Sequence, residues 1–174
     1  MAFPHWQYFI AIESDLEKAA RYVEIAPQNF HTYSVEFAHI LLSASSEVDV
    51  VSKLLCRELD ITGSYSNINH YRTCIVSHYP RFPSFKVSIP RYGLERMPWR
   101  AWDRGENPSW WASYNDVKHE RNNHFGDANL ENTLDAVAGL LCLMIAYHRP
   151  NLWKVSPWPK LLHVEETERL NPFL

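Results

Sequence analysis

The sequence lacks the cysteine and histidine patterns of disulfide-stabilised and metal-binding domains. Its three cysteines, Cys56, Cys74 and Cys142, are an odd number without paired spacing. Neither a CxxC nor an HExxH segment occurs, although the chain has nine histidines. These absences predict buried thiols in a reducing, cytoplasmic compartment, with no metal and no other cofactor.

A membrane-spanning or secretory segment is also missing. The N-terminus has no basic region followed by an apolar run, so it does not resemble a signal peptide. The apolar run from Ala136 to Tyr147 is shorter than the roughly 20 residues that span a bilayer. We therefore expect a buried core helix there and no membrane partner.

The chain has no excess of positive charge, because its net charge is −3. The charge is unevenly distributed, however: residues 13–60 contain nine acidic and four basic residues, and residues 72–121 contain nine basic and five acidic ones. The total gives no nucleic-acid signature, whereas the middle of the chain is a candidate anion-binding region.

The pattern of apolar residues predicts an all-α protein, an up-down bundle of four to five helices. At 174 residues the chain fits one domain, with a core at about 13–148, an irregular loop at 80–107 and a tail at 149–174. A short β-hairpin is expected in the loop, around Tyr92-Gly93. The helices are predicted over residues 14–25, 32–59, 67–77, 108–124 and 128–148, with a short one over 161–168.

The loop before the fourth helix interleaves arginines with aromatic residues. Two interpretations remain open for it: stacking and phosphate contacts with a nucleic acid, or a lid on the bundle with the arginines facing water. The second is favoured. The residues concerned are Arg91, Arg96, Arg100, Arg104, Tyr92, Trp99 and Trp102.

The segment from Pro108 to His124 carries the densest group of polar side chains. If Asn107 is the N-cap and Pro108 the first helical residue, one face is a buried stripe that runs from the two tryptophans to Arg121. A neighbouring polar face then presents Asn115, Lys118, His119 and Asn122. His119 and His124 would lie roughly 140° apart, which disfavours a shared metal.

Glu36 and Glu47 lie at the edge of the apolar stripe of the second helix. An unpaired carboxylate at a core boundary is costly, so we expect structural ion pairs there. Lys118 and Arg121 are among the cations on offer, and the prediction is that the second helix packs against the fourth and that at least one such pair forms.

The layout of the helices, together with the segments at 33–56 and 114–125, resembles the HEPN superfamily of small helical bundles. The likeness includes bacterial proteins of unknown function with a similar WW-x₂-YN-x₂-KH-x-R segment. In that superfamily an Arg, usually followed by a polar residue, and a His after four to six intervening positions form a metal-independent ribonuclease site, typically at a dimer interface. Arg121 followed by Asn122 matches this pattern, but His124 comes after only two intervening residues.

The resemblance implies RNA cleavage by internal transfer. His124 or His119 would act as the base, and Arg121 would stabilise charge on the phosphate. Lys118 would add positive potential, and Asn115 or Asn122 would orient the imidazole.

Two functions therefore stay open. One is a ribonuclease in a toxin or defence setting, with RNA, a second copy of the chain and a protein such as an antitoxin as expected partners. The other is a non-catalytic module of the same type that dimerises or binds a partner or a nucleotide. A further interpretation of Arg121 is purely structural, as the ion-pair partner of Glu36 or Glu47.

Overall fold

A computed structural model describes residues 3–165 and confirms the all-α bundle with a short hairpin. Five α-helices and one two-stranded antiparallel sheet make up this part of the chain, joined by short 3₁₀ turns. The elements are α1 (Pro4–Ala19), α2 (Val35–Leu59), α3 (Ile68–His78), β1 (Val87–Ile89), β2 (Leu94–Arg96), α4 (Ser109–His124) and α5 (Leu130–His148).

Helix α5 is the centre of the bundle. Every residue from Ala136 to Ala146 is buried, and helices α1, α2 and α4 pack against it. By length and composition, the span Leu130–Lys154 would be apolar enough to cross a membrane, but 78% of its 18-residue window is buried inside the fold. Such burial is typical of the central helix of a folded domain.

Helix α2 follows the predicted stripe closely. Ser34 is its N-cap, and the Ser34 hydroxyl accepts a 3.0 Å hydrogen bond from the amide of Phe37. The stripe residues that face α5 and α1 are all buried: Phe37, Ile40, Leu41, Ala44, Val48, Val51 and Leu55.

The prediction for the first helix was wrong. It placed an N-cap at Ser14, whereas α1 begins at Pro4 and ends at Ala19. Proline is well suited to the first helical turn, because its missing N–H would have no partner there. The buried stripe starts at Trp6 and Phe9, so the core extends beyond the predicted start at residue 13.

The C-terminal segment is also part of the core. The buried carboxylate of Glu13 accepts hydrogen bonds of 2.8–3.0 Å from the amides of Lys160, Leu161 and Leu162. His163 forms a β-bridge with Ser88. Residues 161–165 are therefore not helical, contrary to the prediction, and residues 166–168 of that predicted helix lie outside the described residues.

The loop at 80–107 covers one side of the bundle, as the favoured interpretation predicted. Trp99 and Trp102 are at most 3% exposed, and the Trp99 indole donates a 3.1 Å hydrogen bond to the carbonyl of Gly139 in α5. Their burial leaves neither ring available to stack on a base. The arginines at positions 91, 100 and 104 are exposed.

Arg96 departs from this pattern, because it joins the hairpin to α5. Its guanidinium donates hydrogen bonds of 2.6 and 2.7 Å to the carboxylate of Asp135 and one of 3.0 Å to Glu131. A bidentate pair of this kind fixes both position and orientation. Arg96 is therefore a structural residue.

The close approach of the tryptophans to α5 makes Gly139 a sensitive position. A Cβ atom there would lie 3.0 Å from the ring of Trp110 and 3.4 Å from the Trp99 nitrogen. Both rings are fully buried, so we expect Gly139→Ala to lower the free energy of unfolding by about 1–2 kcal/mol. Gly126→Ala is the matched control, since nothing lies within 4 Å of its Cβ. Urea unfolding of both variants tests this, and equal stabilities would contradict it.

Candidate functional site

Helix α4 presents the candidate site at its C-terminal end. The helix begins at Ser109 with Pro108 as N-cap, one residue later than predicted. Asn107 instead forms 3.1 Å hydrogen bonds with the side chains of Arg72 and Asn69. The buried stripe is confirmed for its first members, which are Trp110, Trp111, Tyr114 and Val117.

The helix is kinked at Glu120, whose φ of −135° and ψ of 44° are not helical. The residues that follow the kink no longer continue the faces of the first three turns. Arg121 was predicted to extend the buried stripe, but it is exposed. The kink therefore turns the guanidinium away from the core.

Arg121 and Asn122 line an open pocket with a volume of about 380 Å³. The remaining lining is apolar and comes from Val35, Ala38 and Phe125. Within residues 3–165, Arg121 has no ion-pair partner. A guanidinium that is exposed beside a pocket, and not neutralised by a carboxylate, is available to bind an anion.

His124 is the last residue of α4 and does not line that pocket. Its Nδ1 atom is 2.9 Å from a carboxylate oxygen of Asp127. The imidazole is partly exposed, with 38% of the side chain accessible. The carboxylate fixes the ring orientation and leaves Nε2 available to another group.

Asp116 is the third residue of this cluster. One ligating atom from each of Asp116, His124 and Asp127 lies within 4.8 Å of the others. Sequence reasoning missed both aspartates, because no spacing motif connects positions 116 and 127. Only the kink between them brings the carboxylates together.

The other predicted site residues lie on the helix before the kink. His119 and Lys118 are exposed, and the Lys118 ammonium lies 5.4 Å from the centre of the Tyr114 ring. The Asn115 amide donates a 2.9 Å hydrogen bond to the carbonyl of Trp111. Asn115 is thus bonded to its own helix rather than to an imidazole.

The predicted partners of Glu36 and Glu47 were wrong, although α2 and α4 do pack together. Glu47 is buried and its carboxylate lies 2.6 Å from Nδ1 of His5. Glu36 is exposed, and its carboxylate lies 3.7 Å from Nδ1 of His39. The early start of α1 brings His5 to Glu47, and within residues 3–165 neither Glu36 nor Glu47 pairs with Lys118 or Arg121.

Comparisons with protein-family models, curated proteins and solved structures found no match for this chain. The functional assignment therefore depends on the geometry and chemistry of the residues themselves.

The corner of the fold that contains Glu47 also contains a buried histidine. His148 is 8% exposed, and its Nε2 has no hydrogen-bond partner in the described part of the chain. Burial, together with the nearby His5, lowers the pKa of His148 to about 4. The ring packs edge-on against Phe3 and Trp6, so it is held as a neutral side chain.

This pKa predicts a loss of stability in mild acid. In the unfolded chain a histidine has a pKa of about 6.5, so between pH 6.5 and 4 the unfolded state binds a proton that the folded state does not. Stability therefore falls as the pH drops through this range. We expect His148→Phe to reduce the loss between pH 7 and 4.5 by up to about 3 kcal/mol.

Urea unfolding at both pH values measures this difference. His31→Phe is the control for removing a histidine, because His31 is exposed. The same pH dependence in His148→Phe and in the native chain would contradict the prediction.

Proposed function

We propose that this chain is a HEPN-like domain that binds RNA at the end of α4 and cleaves it without a metal ion. The observation that carries the proposal is the exposed Arg121 guanidinium beside an open pocket, which no carboxylate of the described residues neutralises. The resemblance of the α2 and α4 segments to the HEPN superfamily supports the same assignment.

The proposed chemistry divides between two side chains. Arg121 binds a phosphate through its planar pair of N–H donors and stabilises the charge that grows on the phosphoryl oxygens. His124 removes the proton of the 2′-hydroxyl through Nε2, since its Nδ1 is held by Asp127. His119 is the alternative base, and Asn122 and Lys118 assist in binding the RNA backbone.

Fewer residues separate Arg121 from His124 than the resemblance implies. Because Glu120 interrupts the helix directly before Arg121, the positions of the two side chains do not follow from the number of residues between them. An RNA strand that extends from the Arg121 pocket to His124 would contact both side chains. A toxin or defence role, with an antitoxin as protein partner, belongs to the same proposal.

RNA cleavage by the purified chain tests the proposal directly. We expect cleavage of single-stranded RNA to persist in EDTA and to fall about 100-fold or more in Arg121→Ala and in His124→Ala. Arg100→Ala is the matched control, because Arg100 is an exposed arginine of the loop. We expect this variant to cleave RNA like the native chain. Absence of cleavage, or equal rates in all variants, would overturn the proposal.

A second candidate is a non-catalytic module that pairs with a second copy of itself. It is favoured by the apolar lining of the Arg121 pocket, in which Val35 is 59% exposed, and by the neighbouring Tyr33, which is 56% exposed. Tyr33 packs edge-on against Phe125 of the pocket. The same end of α2 carries the exposed Glu36, so acidic and basic groups are both present for a two-fold interface.

The oligomeric state tests this candidate, and the cleavage assay above distinguishes it from the ribonuclease, which is also expected to dimerise. We expect a dimer by light scattering, with Val35→Glu shifting it to monomer because a charge would be buried in an apolar contact. Val50→Glu is the matched control on the same helix, at a valine that is 39% exposed. A monomeric native chain, or equal behaviour of the two variants, would reject the candidate.

A further inference from the structure

The proposed RNA site uses His124 and Asp127, but it does not explain why Asp116 lies in the same cluster. Each residue contributes one ligating atom, and the three atoms lie within 4.8 Å of one another. Asp116 and Asp127 play no part in binding phosphate, and their negative charge opposes it. The cluster therefore calls for a positive ligand.

The convergence depends on the interruption of α4. On a regular helix, residues eight apart are separated by about 12 Å along the axis and cannot share a small ligand. The kink at Glu120 and the 3₁₀ turn Phe125–Asp127 shorten this path. They bring a carboxylate from before the kink to a histidine and a second carboxylate from after it.

The electrostatics of the cluster are unbalanced. His124 contacts Asp127 at 2.9 Å, but Asp116 has no hydrogen bond or ion pair to any described residue. Two carboxylates this close repel each other unless a cation lies between them.

We propose that Asp116, His124 and Asp127 bind one divalent transition-metal ion, of the class of Mn²⁺ or Zn²⁺. An imidazole nitrogen with two carboxylate oxygens suits these ions better than Ca²⁺ or Mg²⁺, which prefer oxygen ligands alone. The residues are partly exposed, so the remaining coordination positions face water. The site is open rather than closed.

The inference does not rest on RNA cleavage, although it shares His124 with the proposed base. A metal on His124 uses the imidazole as a ligand, so the ion is expected to compete with its role as a base. The experiment therefore measures metal binding to the purified chain in the absence of RNA. Failure of one proposal leaves the other standing.

Binding of Mn²⁺ to the full chain, followed by electron paramagnetic resonance with Zn²⁺ as competitor, tests the site. We expect one ion per chain, weakened by at least about tenfold in Asp116→Asn and in His124→Ala, with Mg²⁺ a poor competitor. Asp103→Asn is the matched control, since Asp103 is an exposed aspartate of the loop. We expect this variant to bind Mn²⁺ like the native chain. Circular dichroism verifies that each variant is folded.

The proposal of a metal site fails if neither Mn²⁺ nor Zn²⁺ binds to the full chain at millimolar concentration. It also fails if Asp116→Asn binds as tightly as Asp103→Asn, because the ion would then lie elsewhere.

Discussion

The packing of helix α5 is the constraint on which the other elements depend. Its run from Ala136 to Ala146 is buried on all sides, and a helix that is apolar all round must be covered all round. Helices α1, α2 and α4 cover three directions. The loop at 80–107 covers another through the contacts of Trp99 with Gly139 and of Arg96 with Asp135.

This arrangement explains why the end of α4 is available for function. The first turns of α4 are committed to the core through their tryptophans. After the kink at Glu120 the chain is released from α5 and lies at the surface. Arg121 then meets the start of α2 at an open pocket, while His124 turns towards two carboxylates. The first part of α4 thus packs in the core, and its C-terminal end presents ionisable groups at the surface.

Much of the fold was predictable, because apolar periodicity directly reflects burial. The stripe of α2, the hairpin turn at Gly93 and the buried tryptophans of the loop all followed from local patterns. The start of α1 was missed because Ser14 offered a capping signal in the middle of a longer stripe. Periodicity identifies a face, and a cap signal alone does not establish an end.

The site was less predictable, for a physical reason. Ion-pair partners depend on which elements meet in space, and the sequence gives no register between α1 and α2; Glu47 therefore met His5 instead of a residue of α4. The kink at Glu120 was equally unpredictable, since the sequence of α4 contains neither proline nor glycine. Without it, Asp116 and Asp127 have no visible relation to His124.

The tryptophan cluster has a consequence for spectroscopy. The ring centroids of Trp99 and Trp102 are 4.2 Å apart, those of Trp99 and Trp110 are 5.1 Å apart, and those of Trp110 and Trp111 are 5.9 Å apart. Indole chromophores this close couple their electronic transitions, and the resulting dichroic band depends on their mutual orientation. Since two of these rings come from the loop and two from α4, the band reports optically on the closure of the loop over the bundle.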